Sequence, residues 1–552
     1  MRFALVLAGA LLLSAGFELR FADVGRQAGF DTPMVSGGAK EKKYILETTG
    51  SGVALIDYDN DGWTDVFFVN GSTLAGTGVK PTNHLYRNLR NGKFEDVTVK
   101  AGLAHSGWGQ GVCAGDFDND GFTDLFVTYW GQNVLYRNRG DGTMQDVTAA
   151  AGLGRTSTRW GSGCAFLDYD LDGRVDLFVS NYVDFDLATA RLPGSEPFCQ
   201  FLGMAVNCGP RGLKGESNLL YHNNGNGTFT DRSAESGVGS IKGNFGLGVL
   251  TGDFDNDGWP DVYVANDTNA SLLFRNKHDG TFEEIGVFAG VAYNADGKET
   301  SGMGITAADF NADGWLDIFK TNFSDESASL YRGTGEGLFI EDSDAAGVGR
   351  NRKWVGWGCG FADFDNDGWP DLFVVNGHVY PEIDKAGRGV NYLQPRLLYR
   401  NLGNGRFADV SAAAGRAVTD PANGRGVAIG DLDNDGVVEI VVNNMNSLPS
   451  LLKLTAKPQA HWIGIETIGV RANRRGIGAR VVCVTGKHRQ MDEVRSGGSY
   501  FSQNDLRLHF GLGSAARVDL IEVYWPGGGV DRLREVAADR IIRIKEGLGL
   551  VR

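Results

Sequence analysis

Short apolar runs and acidic turns alternate along this chain with a period of about fifty residues. A period opens with a small or apolar run such as Val53-Ala54-Leu55-Ile56. It crosses an acidic turn, Asp57 to Asp65, and resumes with Val66-Phe67-Phe68-Val69. Two further runs follow, Leu85-Tyr86-Arg87-Asn88 and Phe94-Glu95-Asp96-Val97-Thr98, separated by Asn91-Gly92 and ending in Ala101-Gly102. Relatives of the Leu85 run start at Leu135, Leu220, Leu273, Leu330 and Leu398, and the turn recurs at Asp141-Gly142, Asn226-Gly227, Asp279-Gly280 and Asn404-Gly405. Asn-Gly or Asp-Gly between short runs is a strong hairpin signal, because these residues accept the positive φ that a tight turn demands. Each period therefore predicts four short antiparallel strands, the size of a propeller blade.

The acidic turn is one motif, Asp-x-Asp-x-Asp-Gly-x-x-Asp, in seven copies beginning at Asp57, Asp116, Asp168, Asp253, Asp309, Asp363 and Asp431. A hard cation such as Ca²⁺ takes six to eight oxygens, and carboxylates at positions 1, 3, 5 and 9 around a Gly turn supply them, with the position-7 backbone carbonyl. The predicted ligands are, in order, Asp57, Asp59, Asp61, Trp63 and Asp65; Asp116, Asp118, Asp120, Phe122 and Asp124; Asp168, Asp170, Asp172, Arg174 and Asp176. They continue with Asp253, Asp255, Asp257, Trp259 and Asp261; Asp309, Asn311, Asp313, Trp315 and Asp317; Asp363, Asp365, Asp367, Trp369 and Asp371; Asp431, Asp433, Asp435, Val437 and Glu439. An EF-hand would carry Glu at position 12, where this chain has Phe68, Val127, Val179, Val264, Lys320, Val374 and Val442. One such turn also has a reading as an ordinary polar loop, but seven in phase make that remote and point to up to seven Ca²⁺, one per repeat. Asn311 and Glu439 mark the fifth and seventh loops as the weaker sites. Magnesium fits less well, since it keeps its waters.

The two ends set the architecture. The seventh acidic turn is followed by Leu451-Leu452-Lys453-Leu454 but by no Phe-x-Asp-Val run, whereas Phe21-Ala22-Asp23-Val24 near the N-terminus has that pattern. The expectation is an all-β chain, a seven-bladed β-propeller over 17–456 closed by the N-terminal strand, which removes exposed sheet edges. Insertions interrupt it at 182–217, Asp31 to Glu47 and His378 to Pro395. Beyond about residue 456 the acidic repeat stops. Alternating apolar positions in His461-Trp462-Ile463-Gly464-Ile465, Gly478 to Val484 and Val518 to Trp525 predict a small C-terminal β-rich domain, 457–552.

Met1-Arg2 followed by Phe3 to Leu13 and the small residues Ser14-Ala15-Gly16 has the layout of a signal peptide, 1–16, which predicts a secreted, extracellular or periplasmic protein. No other stretch is long and apolar enough to span a bilayer. The net charge of -15 argues against nucleic acid and anionic membranes as partners, and seven Ca²⁺ would nearly cancel it. Of six cysteines only Cys199 and Cys208 lie close together, and they are the disulfide candidates. Cys113, Cys164 and Cys359 occupy similar places in different repeats and read as buried thiols.

The run Val53 to Asn70 resembles the FG-GAP or VCBS-type repeats of the integrin α-chain propeller, which implies a calcium-binding seven-bladed propeller. The tail resembles an ASPIC/UnbV domain through Gly476-Ile477-Gly478-Ala479-Arg480, Ser496 to Gln503, His509-Phe510-Gly511-Leu512-Gly513 and Trp525-Pro526-Gly527-Gly528. The pairing is similar to the cartilage acidic protein family, which implies extracellular interaction or adhesion. One departure is that no cysteine-rich EGF-like module follows the tail within this sequence.

Two functions remain open on the residues. The first is a calcium-stabilised binding or scaffold module for an extracellular protein or glycan. The second is a carbohydrate-active enzyme, a lyase or hydrolase, or a lectin, on the same propeller. Its acid/base candidates are His378, Glu382, Asp184 and Asp186, each of which also reads as ordinary loop chemistry. No catalytic residue is assigned. The Ser496 to Gln503 segment reads as either a binding loop or a network of turns, and His509 as a core histidine.

Overall fold

The computed structural model describes residues 18–74, 80–155 and 157–551; the expected signal segment 1–16 lies outside them. Each Asn-Gly or Asp-Gly turn closes a hairpin. In the first repeat His84–Asn88 pairs antiparallel with Phe94–Asp96 across Asn91-Gly92. The acidic turn is also a hairpin turn, joining Val53–Ile56 to Asp65–Phe68. After the fourth strand the chain makes a one-turn helix, Thr98–Ala101, ended by Gly102 at φ +77°, which explains the recurring Ala-Gly pair.

The result is all-β. Four-stranded antiparallel sheets begin at Val53, Gly246, Ile305 and Gly356. The second and third repeats are joined into one eight-stranded sheet where Arg159 and Trp160 pair with Gly131 and Trp130. In the last sheet Gly424–Gly430, Glu439–Asn444 and Ser450–Leu454 are followed by Phe21–Asp23, with Phe21 opposite Leu454. The first strands of successive repeats lie side by side, and Gly424–Gly430 in turn lies against Val53–Ile56.

The tail holds two further sheets. One orders Leu508–Gly513, His461–Ile468, Arg540–Lys545 and Gly549–Val551, with a parallel pair between His461–Ile468 and Arg540–Lys545. The other orders His488–Glu493, Arg480–Thr485, Arg517–Tyr524 and Val530–Ala537. Ile463, Val481, Ile521 and Ile544 bury their side chains in a core shared by both sheets.

Ser496 to Asn504 settles the question that the sequence left open about this segment. It is buried and runs along the inner edges of the repeats. Val53 N donates to Ser502 Oγ (3.2 Å), Val112 N to Phe501 O (3.0 Å), Phe166 N to Ser496 Oγ (3.1 Å) and Ile305 N to Ser499 O (2.8 Å). Cys359 N donates to Ser499 Oγ (3.1 Å) and Ile429 N to Asn504 Oδ1 (2.9 Å), while Asp253 N donates to Glu493 Oε2 (3.1 Å) just upstream. First strands would otherwise present unpaired N–H groups, a costly state for buried backbone. Close approach requires glycine: a Cβ on Gly497, at φ +75°, would sit 2.3 Å from Cys164 O.

Candidate metal centre

In every acidic loop the position-1 carboxylate is held by the backbone it caps. The N–H groups of positions 5 and 6 donate to its two oxygens at 2.7 to 3.1 Å in all seven copies, as Asp61 and Gly62 do to Asp57. The position-9 carboxylate receives the N–H of position 2 and, in most copies, of the Asn that ends the third strand, as Asp65 receives Tyr58 N (3.1 Å) and Asn88 N (2.7 Å). These bonds fix two acids against the loop and leave the position-3 acid facing them.

In four copies that third acid has an oxygen left over. Oδ1 of Asp59, Asp118, Asp170 and Asp365 is buried with no hydrogen bond. Ligand atoms of Asp57, Asp59 and Asp61 lie within 4.8 Å of one another, and so do those of Asp116, Asp118 and Asp124, of Asp168, Asp170 and Asp176, and of Asp253, Asp255 and Asp257. Burial pushes Asp57, Asp116, Asp253 and Asp431 up to about 6, Asp309 to about 7 and Asp168 to about 8. Desolvation likewise holds Asp65, Asp124, Asp261, Asp317, Asp371 and Glu439 well above the usual carboxylate range. Buried, crowded carboxylates favour the neutral form unless a cation enters, so the donor set fits a hard divalent ion.

The third strand supplies a cation beside most loops. Arg87 meets Asp59 at 2.9 Å, Arg137 meets Asp118 at 2.5 Å and Arg400 meets Asp365 at 2.6 Å. In the third repeat His222 stands there instead, with Nδ1 3.3 Å from Asp170 and 3.2 Å from Asp176. In the seventh loop Lys453 takes this place, ion-pairing with Asp433 and lying 3.7 Å from Glu439.

The residues that sequence reasoning missed are the unassigned position 4 of each loop. Each is in the left-handed region, from Asn60 at φ 53° to Ala312 at φ 58°. Where it is Asn, its Nδ2 donates to the position-6 Gly carbonyl of the next loop: Asn60 to Gly121 (2.8 Å), Asn119 to Gly173 (2.9 Å), Asn256 to Gly314 (3.0 Å), Asn366 to Gly436 (2.9 Å) and Asn434 to Gly62 (2.9 Å). Leu171 and Ala312 break the series. The same residues anchor the tail. Arg475 donates to Asn60 Oδ1 (3.0 Å), Arg474 N to Asn119 Oδ1 (2.9 Å) and Arg507 to Asn434 Oδ1 (2.6 Å), while Arg480 bonds Asn256 and His509 Nε2 bonds Asn366 Oδ1 at 2.7 Å. The tail therefore sits on the acidic-loop side.

The remaining candidates lie in the insertions. Cys199 and Cys208 are disulfide-bonded in the 182–217 insertion, and Cys113, Cys164, Cys359 and Cys483 are buried thiols. His378 is fully buried among Phe201, Phe323 and Tyr380, accepts Tyr380 N at Nδ1 (3.1 Å), and is held down to about 4 by burial. Asp184 pairs with Lys214, Asp186 caps Ala188, and Glu382 Oε2 is buried without a partner. No helix among the described residues is long and apolar enough to cross a membrane.

Repeated four-stranded sheets, each with one acidic hairpin able to hold a cation, define a class of acidic-loop β-repeat proteins. Six stretches, 57–127, 116–179, 212–264, 253–320, 309–374 and 390–442, match the model of the FG-GAP-like repeat, and 469–550 match that of ASPIC and UnbV. The chain belongs to the FG-GAP-like repeat family, with an ASPIC and UnbV region at its C-terminal end. It is 27% identical over 504 residues to cartilage acidic protein 1 of Xenopus tropicalis, covering 86% of this chain and 70% of that one. It is 26% identical over 497 residues to the protein of that name from Homo sapiens, covering 86% and 69%. Among solved structures it is similar to a streptogramin B lyase at 11% identity and TM-score 0.41, covering 75% of this chain and 97% of that one.

Proposed function

We propose that this chain is an exported, calcium-binding, seven-bladed β-propeller that serves as an extracellular interaction or scaffold module. In this reading 1–16 is a signal peptide, 17–456 the propeller closed by Phe21–Asp23, and 457–552 the C-terminal β domain. Each acidic loop takes one Ca²⁺, up to seven in all. The ion draws on the position-1, 3, 5 and 9 side chains and the position-7 carbonyl of each loop. Its chemistry there is to neutralise carboxylates that burial otherwise holds protonated.

The observation that carries this reading is the set of buried, unpartnered position-3 oxygens, each facing two acids already held by the loop backbone. The resemblance to cartilage acidic protein 1 supports an extracellular setting, with a protein or a glycan as partner. The test is thermal unfolding with excess Ca²⁺ and with chelator, together with metal content by mass spectrometry. Several Ca²⁺ per chain and a large calcium-dependent rise in Tm are expected; absence of both would refute it.

A further inference from the structure

The bond from each position-4 Asn closes the gap between neighbouring loops, and two gaps lack it. Between the fifth and sixth loops, where Ala312 stands, the tail fills the place: His488 Nε2 lies 2.8 Å from Gly368 O. Between the third and fourth loops Leu171 offers no donor to Gly258, and among the described residues no side chain takes its place. The gap widens there into a cleft of about 660 Å³, within the ~300–1,000 Å³ usual for small-molecule sites.

Its walls come from both parts of the chain. Trp259 and Arg480 line one side; Trp259 stacks on His278 at 4.7 Å, and Arg480 covers Tyr524 at 4.9 Å. The Trp525-Pro526-Gly527-Gly528-Gly529 turn, a tail motif that nothing in the metal chemistry uses, forms the rim. Its three glycines are exposed at positive φ, from +76° to +106°, so the turn presents peptide groups rather than side chains. Asp257 and Gly258, which also line the cleft, are exposed too.

Apart from Glu493, the acids lining the cleft, Asp168, Asp170, Asp253 and Asp257, belong to two acidic loops whose bound cations would neutralise them, and the basic groups beside them are engaged. Arg480 bonds Asn256 and lies 4.0 Å from Asp253, and Asp257 meets His278 at 2.7 Å. An ionic ligand would break these pairs. Aromatic surface beside mixed donors and acceptors suits a ligand with apolar C–H faces and many hydroxyls.

We infer that the cleft between the third and fourth loops, walled by Trp259, Arg480, Tyr524 and the Trp525 to Gly529 turn, binds a neutral saccharide of one or two rings. This rests on the calcium-module reading, since Asp168 and Asp170 of the third acidic loop and Asp253 and Asp257 of the fourth line the cleft.

The test is calorimetric titration of the calcium-loaded full chain with maltose, cellobiose, lactose and chitobiose, with an oligolysine peptide as the competing class. One-site binding of at least one disaccharide is expected, weakened tenfold or more by Leu171→Asn and by Trp259→Ala. Leu171→Asn is placed to donate to Gly258 O and seal the cleft in a backbone conformation that Asn tolerates better than Leu, so its calcium-loaded Tm should hold or rise. Loss of binding together with a kept Tm separates the site from misfolding. No heat with any disaccharide, binding of oligolysine alone, or disaccharide binding untouched by both substitutions overturns the inference. If the sugars fail while calcium still raises Tm, only the saccharide site falls; if calcium has no effect, the module reading falls with it.

Discussion

Asn434 Nδ2 donates to Gly62 O at 2.9 Å across a sequence separation of 372 residues, tying the last acidic loop to the first. The same side chain accepts Arg507 of the tail through Oδ1 at 2.6 Å. One amide thus joins three distant parts of the chain.

Asn434→Ala removes both bonds and places Ala at φ 54°, so we expect a loss of about 2 kcal/mol, near the sum of two net hydrogen bonds. Asn434→Asp keeps the acceptor and the tolerance for this conformation and should lose less. Midpoints of urea unfolding in excess Ca²⁺ measure both.

Removing the ions should invert the pH dependence of stability. With chelator, Asp57 near 6, Asp309 near 7 and Asp168 near 8 lie above the ~3.9 of an unfolded Asp, so the folded chain binds more protons. Their contribution is fully present below about pH 4 and is lost as pH rises to 8. With saturating Ca²⁺ the same acids must be ionised to bind, so Tm should rise over that window. Melting curves at pH 5 and pH 8, with and without Ca²⁺, give the two slopes; parallel slopes would contradict the loop chemistry.

Replacing Asp255 and Asp257 together by Asn should lower the bound Ca²⁺ by one per chain while the other loops stay loaded. Native mass spectrometry counts the ions. Hydrogen exchange should rise over Gly246–Gly252 and Asp261–Asn266, the strands this loop joins.

Gly497→Ala should destabilise the protein by roughly 2–4 kcal/mol, because the added carbon meets Cys164 O at 2.3 Å in a backbone conformation that Ala avoids. Limited proteolysis should then cut between Leu454 and His461, where the tail leaves the last repeat.

Hairpins, acidic loops and the all-β class were legible because they are local: a turn pair, a period and an alternation suffice. Leu171 and Ala312 were visible as departures from Asn, yet their effect depends on a carbonyl in the next repeat, which no local pattern reveals. The Ser496 to Gln503 segment was equally opaque. Its glycines and serines look like any turn until the inner strand edges they satisfy, hundreds of residues earlier, are brought to them. His222 stands where five repeats have Arg and the seventh has Lys453, a departure whose meaning shows only after the third strand is seen beside the loop.

The segment that satisfies the inner strand edges follows all seven repeats along the chain. Until Ser496 to Asn504 arrives, the first strands of six repeats have backbone donors with no partner, and Phe21–Asp23 must wait for Ser450–Leu454. A ribosome releasing this protein from its N-terminus therefore delivers sheets with open edges before their cover exists. Truncation before residue 496 should give an aggregating chain rather than a smaller soluble one.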